Sequence, residues 1–219
     1  MRSTLFDKGN NTSHTQDPMR LHNDYTLQSR ITPGNDLITR KGAMIAYQGN
    51  LEFKHQGARD AAQFMRKMVS NEDQPLMRVS GNGEAYFAQN KARIHLLQLE
   101  HEAVTVSGTN LLAFQDSLTY DLTRVKGSSM LLSGMWNTTV SGYGSLAIAA
   151  HGEPIIFDCS QQPLFTDMHA TVAWSASLQP QVKSSMSAGA LIGRGSGEAF
   201  QYVFHGPGWV IVQPAEYAA

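Results

Sequence analysis

Charge is what this sequence has least of. Only 16% of its 219 residues are Asp, Glu, Lys or Arg, against roughly a quarter in ordinary domains. The shortage is concentrated late: from Gly127 to Ala219 the basic side chains are Lys183 and Arg194 alone, with Glu153, Asp158, Asp167, Glu198 and Glu216 as the acids. A surface so poor in charge is either covered by another subunit or kept in solution by Ser, Thr, Gln and Asn. The formal net charge of −1 offers no electrostatic footprint for non-specific nucleic-acid binding, so no nucleic-acid partner is expected. A single cysteine, Cys159, excludes an intramolecular disulfide and suggests a reducing compartment. Lying between Phe157 and Leu164, it is expected to be an inert core residue. No apolar run reaches about 18 residues, so no transmembrane segment is expected. The polar opening Met1-Arg2-Ser3-Thr4-Leu5-Phe6-Asp7-Lys8 lacks the apolar stretch of a secretory signal, which makes a cytoplasmic location the expectation.

The motifs of common chemistries are also missing. Gly193-Arg194-Gly195-Ser196-Gly197-Glu198 lacks the final spacing of G-x-G-x-x-G and the Lys-Ser/Thr of a phosphate loop. Strand-like text (Ala199-Phe200-Gln201-Tyr202-Val203) follows it, not a helix whose N-terminus would hold a phosphate. Nor is it a G-x-S-x-G elbow, since Ser196 is displaced by one position. Such glycines are expected to supply positive φ or close backbone approach at a bend between strands. Among the eight histidines there is no H-x-H and no H-E-x-x-H. His95 and His101 share strand parity but lie about 20 Å apart on an unbroken strand, and meet only if the chain turns near Glu100. His151 and His205 are expected to occupy equivalent turns of a repeat. These four are the weak candidates for a metal site; no catalytic residue and no cofactor are expected.

What the chain does have is one short stretch used three times: Met44-Ile45-Ala46-Tyr47-Gln48-Gly49-Asn50-Leu51, Leu111-Leu112-Ala113-Phe114-Gln115-Asp116-Ser117-Leu118, and Thr171-Val172-Ala173-Trp174-Ser175-Ala176-Ser177-Leu178. Each copy places an Ala, an aromatic and, four residues on, a Leu: Ala46, Tyr47, Leu51; Ala113, Phe114, Leu118; Ala173, Trp174, Leu178. On a strand the aromatic and the Leu share a face. All three aromatics are expected in the core, there being almost no interleaved Lys or Arg for base stacking. Trp136 and Trp209 are less constrained and are candidates for an interface, where Trp is enriched.

A second element repeats as well. Gly81-Asn82-Gly83-Glu84-Ala85-Tyr86 returns as Gly195-Ser196-Gly197-Glu198-Ala199-Phe200 and, more weakly, as Gly142-Tyr143-Gly144-Ser145-Leu146-Ala147. Polar breaks follow at 89–91, 151–154 and 205–208, and the flanking strands are expected to form hairpins across them. A third match sets Val125-Lys126-Gly127-Ser128-Ser129-Met130 against Val182-Lys183-Ser184-Ser185-Met186. One helix is expected at about 58–69, with Ala61, Phe64, Met65 and Met68 on its buried face.

These patterns predict an all-β protein: a polar N-terminal arm, 1–24, and one domain, 25–214. The domain is three tandem β-units of about 25–98, 99–159 and 160–214, packed as one sandwich- or barrel-like body with pseudo-threefold symmetry. The ordered repeats, together with Lys41-Gly42-Ala43-Met44 and the ending Gly193 to Phe200, resemble the altered-inheritance-of-mitochondria family in its actinobacterial branch, over about 25–214. That resemblance implies repeated β-units like those of the tryptophan RNA-binding attenuation protein and assembly into symmetric oligomers. It implies no catalytic residues, and fold likeness alone does not carry RNA binding across. Function is therefore expected to be that of a non-catalytic, self-associating scaffold or binding module with an unknown protein partner. The alternatives are a cupin-like protein or enzyme holding a small ligand or metal and, more weakly, an oligomeric ring binding RNA or nucleotide.

Overall fold

The structure, a computed structural model, describes residue 3 and residues 14–55, 76–124, 136–184 and 200–215. Every regular element among them is a strand: β1 (Met19–Asn23), β2 (Thr26–Ile31), β3 (Leu37–Arg40), β4 (Met44–His55), β5 (Leu76–Phe87), β6 (Arg93–Ser107), β7 (Leu111–Gln115), β8 (Thr119–Arg124), β9 (Trp136–Ala150), β10 (Ile155–Asp158), β11 (Leu164–Asp167), β12 (Thr171–Ser175), β13 (Gln181–Ser184), β14 (Phe200–Phe204) and β15 (Trp209–Val212). The helix expected at 58–69 and the glycines Gly195 and Gly197 lie outside the described residues.

Three strands of 12 to 15 residues act as spines. β5 carries β4 along one edge and β2 and β3 in series along the other. β9 carries β6 along one edge and β7 and β8 in series along the other. β6 passes from β9 to β12, and β12 leads through β15 to β10. All of these pairings are antiparallel and make a twelve-stranded sheet that runs from β1 to β10 without closing; β11, β14 and β13 form a second, three-stranded sheet. The architecture is all-β, with an open sheet rather than a barrel. β1, inside the stretch expected to be an arm, pairs with β2 from Met19 opposite Ser29.

The apolar faces collect into three clusters. Phe114, Leu118, Val140, Leu146 and Ile148 lead one, Leu27, Ile31, Val79, Phe87 and Leu112 a second, and Trp174, Leu178, Tyr202, Phe204 and Val210 the third. Burying one such side chain contributes about 1.5–3 kcal/mol. The three copies of the repeat also share a backbone feature. In each, one residue is squeezed out of register as a β-bulge: Ile45 between Met44 and Ala46, Leu112 between Leu111 and Ala113, Val172 between Thr171 and Ala173. A bulge adds a residue to one strand and increases its local twist. Phe114 and Trp174 are buried as expected, but Tyr47 is 48% exposed and rests on Phe53, with ring centroids 5.2 Å apart.

The polar breaks do not close hairpins. β5 does not pair with β6, β9 does not pair with β10, and β14 and β15 sit in different sheets. Turn chemistry is local, and at 89–92 it is present: Asn90 and Lys91 have φ of 41° and 60°, and the Ala92 N–H bonds to the Gln89 carbonyl at 2.7 Å. Partner choice is not local, because it follows the edge against which the apolar face is buried. Gly81, Gly83, Gly142 and Gly144 fall inside strands, whereas Gly206 and Gly208 immediately precede β15. Gly83, Gly144 and Gly208 each stand two residues before the partner of the repeat aromatic, namely Ala85, Leu146 and Val210. Gly81, Gly142 and Gly206 adopt φ of +122°, +122° and +124°. Pairing register thus sets Gly206 and Gly208 beside the other two pairs. Between β4 and β5 the backbones are so close that a Cβ on Gly81 would strike the Asn50 carbonyl oxygen and one on Gly83 that of Gln48.

Gly81→Ala and Gly83→Ala are expected to lower the unfolding free energy by about 2–4 kcal/mol each. Gly42→Ala, at φ +82° with open space around it, should cost about 1 kcal/mol. Denaturant titration checks this; equal losses at all three positions would show that close approach is not the cause.

Candidate functional site

The four candidate histidines do not converge. His95 and His101 lie on β6, which continues through both, and His101 is the bulged residue of that strand at φ 67°, its ring 5.6 Å from that of Tyr143. The chain thus swells at Glu100–Glu102 without turning back, which keeps the two histidines apart. His95 lies opposite Ile148, and its buried Nε2 has no hydrogen-bond partner among the described residues. His151 follows the end of β9, where its N–H donates to Gln213 Oε1 at 3.0 Å. His205 follows β14, precedes β15 and is exposed. Among the described residues no three His, Cys, Asp or Glu side chains are placed to hold a metal ion. Trp136 and Trp209 are half-buried at the starts of β9 and β15.

Two polar centres escaped the sequence. Arg78 of β5 donates to Asp36 Oδ2 at 2.8 Å and to Asp116 Oδ2 and Oδ1 at 2.7 and 2.6 Å. The Asp116 bonds, and then those from Asp36, raise the guanidinium pKa against the opposing effect of burial. Asp36 precedes β3 and Asp116 follows β7, so one cation clamps the mouth of the joint between those strands. The second centre is Glu84, also on β5 and buried. Its Oε1 accepts from the Thr15 N–H at 3.3 Å and lies 3.1 Å from His14 Nδ1; Oε2 accepts from Gln28 Nε2 at 2.9 Å and the Tyr86 hydroxyl at 3.3 Å. Burial alone would push the Glu84 carboxyl up, but the bonds from His14, Thr15 and Gln28 outweigh it and hold the group below its usual range. With both oxygens occupied, it acts as an ionised anchor that ties residues 14 and 15 to the sheet. His14 lies 70 residues from Glu84, and no local pattern announces such a contact.

The least satisfied parts of the surface are strand edges. Among the described residues the outer edges of β4, β10 and β11 have no partner strand. They carry large exposed apolar side chains: Ile45 and Tyr47 on β4, Ile155, Ile156 and Phe157 on β10, and Phe165 on β11. Edges that are neither charged, broken nor covered are templates for another strand. Cys159 is buried, and burial followed by the nearby Asp158 charge pushes its thiol pKa up, which fits an inert core residue.

The family model for Mitochondrial biogenesis AIM24 matches residues 19–215. Among curated proteins, none matches the chain. The crystal structure of protein SPYM3_0169 from Streptococcus pyogenes is similar at TM-score 0.72 and 20% identity, covering 90% of this chain and 92% of that one. At that identity the likeness is one of fold.

Glu84 gives stability a pH dependence of known sign. A folded-state pKa below the unfolded value stabilises fully above the ordinary Glu pKa of about 4.3, and the contribution is lost as pH falls through the lowered folded value. Urea unfolding of Glu84→Gln is expected to be weaker than that of the parent at neutral pH, the gap narrowing as pH drops below about 4.3. A gap independent of pH would mean that Glu84 stabilises by packing alone.

Proposed function

The chain belongs to the Mitochondrial biogenesis AIM24 family, and from that premise we propose that it is a non-catalytic β-repeat protein that self-associates and serves as a scaffold or binding module. The observation that carries this is the threefold recurrence of one bulged strand start, in the same register to a glycine pair each time. It supports a chain of three tandem units, about 25–98, 99–159 and 160–214, of the kind found in the tryptophan RNA-binding attenuation protein. Units that recur and join edge to edge bury a continuous core only by stacking, and the terminal ones then expose an edge. Exposed Ile and aromatic residues on strand edges without a partner among the described residues, and the scarcity of charge after Gly127, support a surface meant for another protein chain. No helix among the described residues is long and apolar enough to cross a membrane.

A second role, holding a small ligand or metal, is favoured by one observation: among the described residues the buried Nε2 of His95 has no hydrogen-bond partner, and such a group calls for a ligand or an ordered water. Native mass spectrometry on full-length protein, purified from its host without chelator, separates the two. A defined oligomer at the mass of its chains alone is the expected result. A monomer would overturn self-association, and a reproducible extra mass that disappears in His95→Ala would favour the ligand-binding role.

A further inference from the structure

Two joints inside the chain are built alike. Ile38 of β3 lies opposite Phe114 of β7, flanked by the pairs Leu37–Gln115 and Thr39–Ala113. Thr105 of β6 lies opposite Trp174 of β12, flanked by Val104–Ser175 and Val106–Ala173. In both, the repeat aromatic is the middle residue of three, and its partner strand rests with its other edge on a spine. β3 does so through Leu37–Val79 and β6 through Val104–Val140. Val79 and Val140 stand two residues before Gly81 and Gly142, which share one φ. The four central residues, Ile38, Phe114, Thr105 and Trp174, are buried.

Both halves of a third such joint exist, and nothing described joins them. β11 rests on β14 through Leu164–Phe204 and Phe165–Val203. Phe204 stands two residues before Gly206, the third glycine with that φ. Leu164, Phe165 and Thr166 therefore take the places of Leu37, Ile38 and Thr39. The other half is the start of β4, whose aromatic is Tyr47. β11 and β4 do not pair with each other. Three of the most exposed apolar residues sit on these two edges: Ile45 at 58%, Tyr47 at 48% and Phe165 at 52%. Their counterparts at the internal joints, Leu112 and Val172, Phe114 and Trp174, Ile38 and Thr105, are all buried. The same residue places are buried where a partner strand is present and about half exposed where it is not, with the Lys183 ammonium 5.5 Å from the Phe165 ring centroid.

We propose that β11 of one copy pairs antiparallel with the first half of β4 in the next copy, placing Phe165 opposite Tyr47, with Leu164–Gln48 and Thr166–Ala46 on either side. The joint presupposes the self-association proposed above and specifies its geometry. Its occupant is a second copy because the register is one this chain uses twice within itself. Cross-strand aromatic pairs are favourable, and none of the six paired residues carries a charge or is proline. By contrast β1, the strand that ends the large sheet on the side of β2 and β5, carries Arg20 and His22, residues of the kind that guard strand edges against unwanted pairing. Because the two surfaces differ, the contact is head-to-tail and generates a ring where the rotation closes and a filament where it does not.

The test uses full-length chains. Tyr47→Cys and Phe165→Cys are made separately and together, with Cys159 kept and, as a control, replaced in Cys159→Ala. After mild oxidation the separate variants alone should remain unlinked, their mixture should give disulfide-linked dimers, and the double variant a ladder of linked copies. A double variant that oxidises within single chains would mean that β11 and β4 close on themselves, which overturns the proposal. Absence of any link, with the parent oligomeric by native mass spectrometry, would place the interface elsewhere and leave self-association standing; a monomeric parent would sink both. Independently, Tyr47→Lys, at an exposed position, should weaken assembly at least tenfold with an unchanged circular dichroism spectrum, and unaltered assembly would overturn the joint.

Discussion

A strand has two edges, and every buried N–H and C=O along both must find a partner. The whole fold depends on how that demand is met. β5 and β9 meet it by carrying one long neighbour on one side and two short ones in series on the other. The short neighbours then pass their free edges onward, β3 to β7, while β6 reaches β12. Closeness is bought with glycine: where β4 crosses β5, Gly49, Gly81 and Gly83 face each other's backbone, and a Cβ on Gly49 would lie 2.5 Å from the Asn82 oxygen. Side chains decorate this lattice of edges, and the lattice decides which of them are covered.

Polar groups hold the joints in different ways. At the β3–β7 joint, Arg78 bridges Asp36 and Asp116, and the Asp116 N–H reaches the Asp36 carbonyl at 3.1 Å. At the matching place on β9 stands Thr139, whose hydroxyl meets that of Thr105 at 2.9 Å. On β14 the place is taken by Val203, opposite Phe165. An ion triad, a hydroxyl pair and an apolar contact thus occupy one position in three contexts. The first is the most specific, since a partly buried Arg between two carboxylates tolerates few other arrangements.

The all-β class was legible because periodicity and composition are written locally. Register was not. Gly206-Pro207-Gly208-Trp209 bears little resemblance in letters to Gly81-Asn82-Gly83-Glu84-Ala85-Tyr86, yet the pairing register sets Gly208 and Gly83 in the same relation to a repeat aromatic. Likewise, the turn residues at 89–92 form a tight turn, but whether strands pair across it depends on partners elsewhere in the chain. Tyr47 shows the same limit: its repeat position is that of Phe114, and only the neighbouring strand distinguishes a buried ring from an exposed one. Glu84 lay in plain view within a repeated motif, but its donors come from residues 14, 15, 28 and 86, a gathering that only tertiary structure reveals.

Strand length is unevenly distributed along the chain. β4, β5, β6 and β9 are 12 to 15 residues long, whereas β10 to β15 have 4 or 5 each. A long uninterrupted ladder opens only if many bonds yield together, while a short one frays from either end. Among the described residues, the ladders of 12 to 15 residues are therefore the stiffer parts and the short strands β10 to β15 the more compliant ones. Under heat or pulling, the β11–β14–β13 sheet is the element that lets go before the spines do.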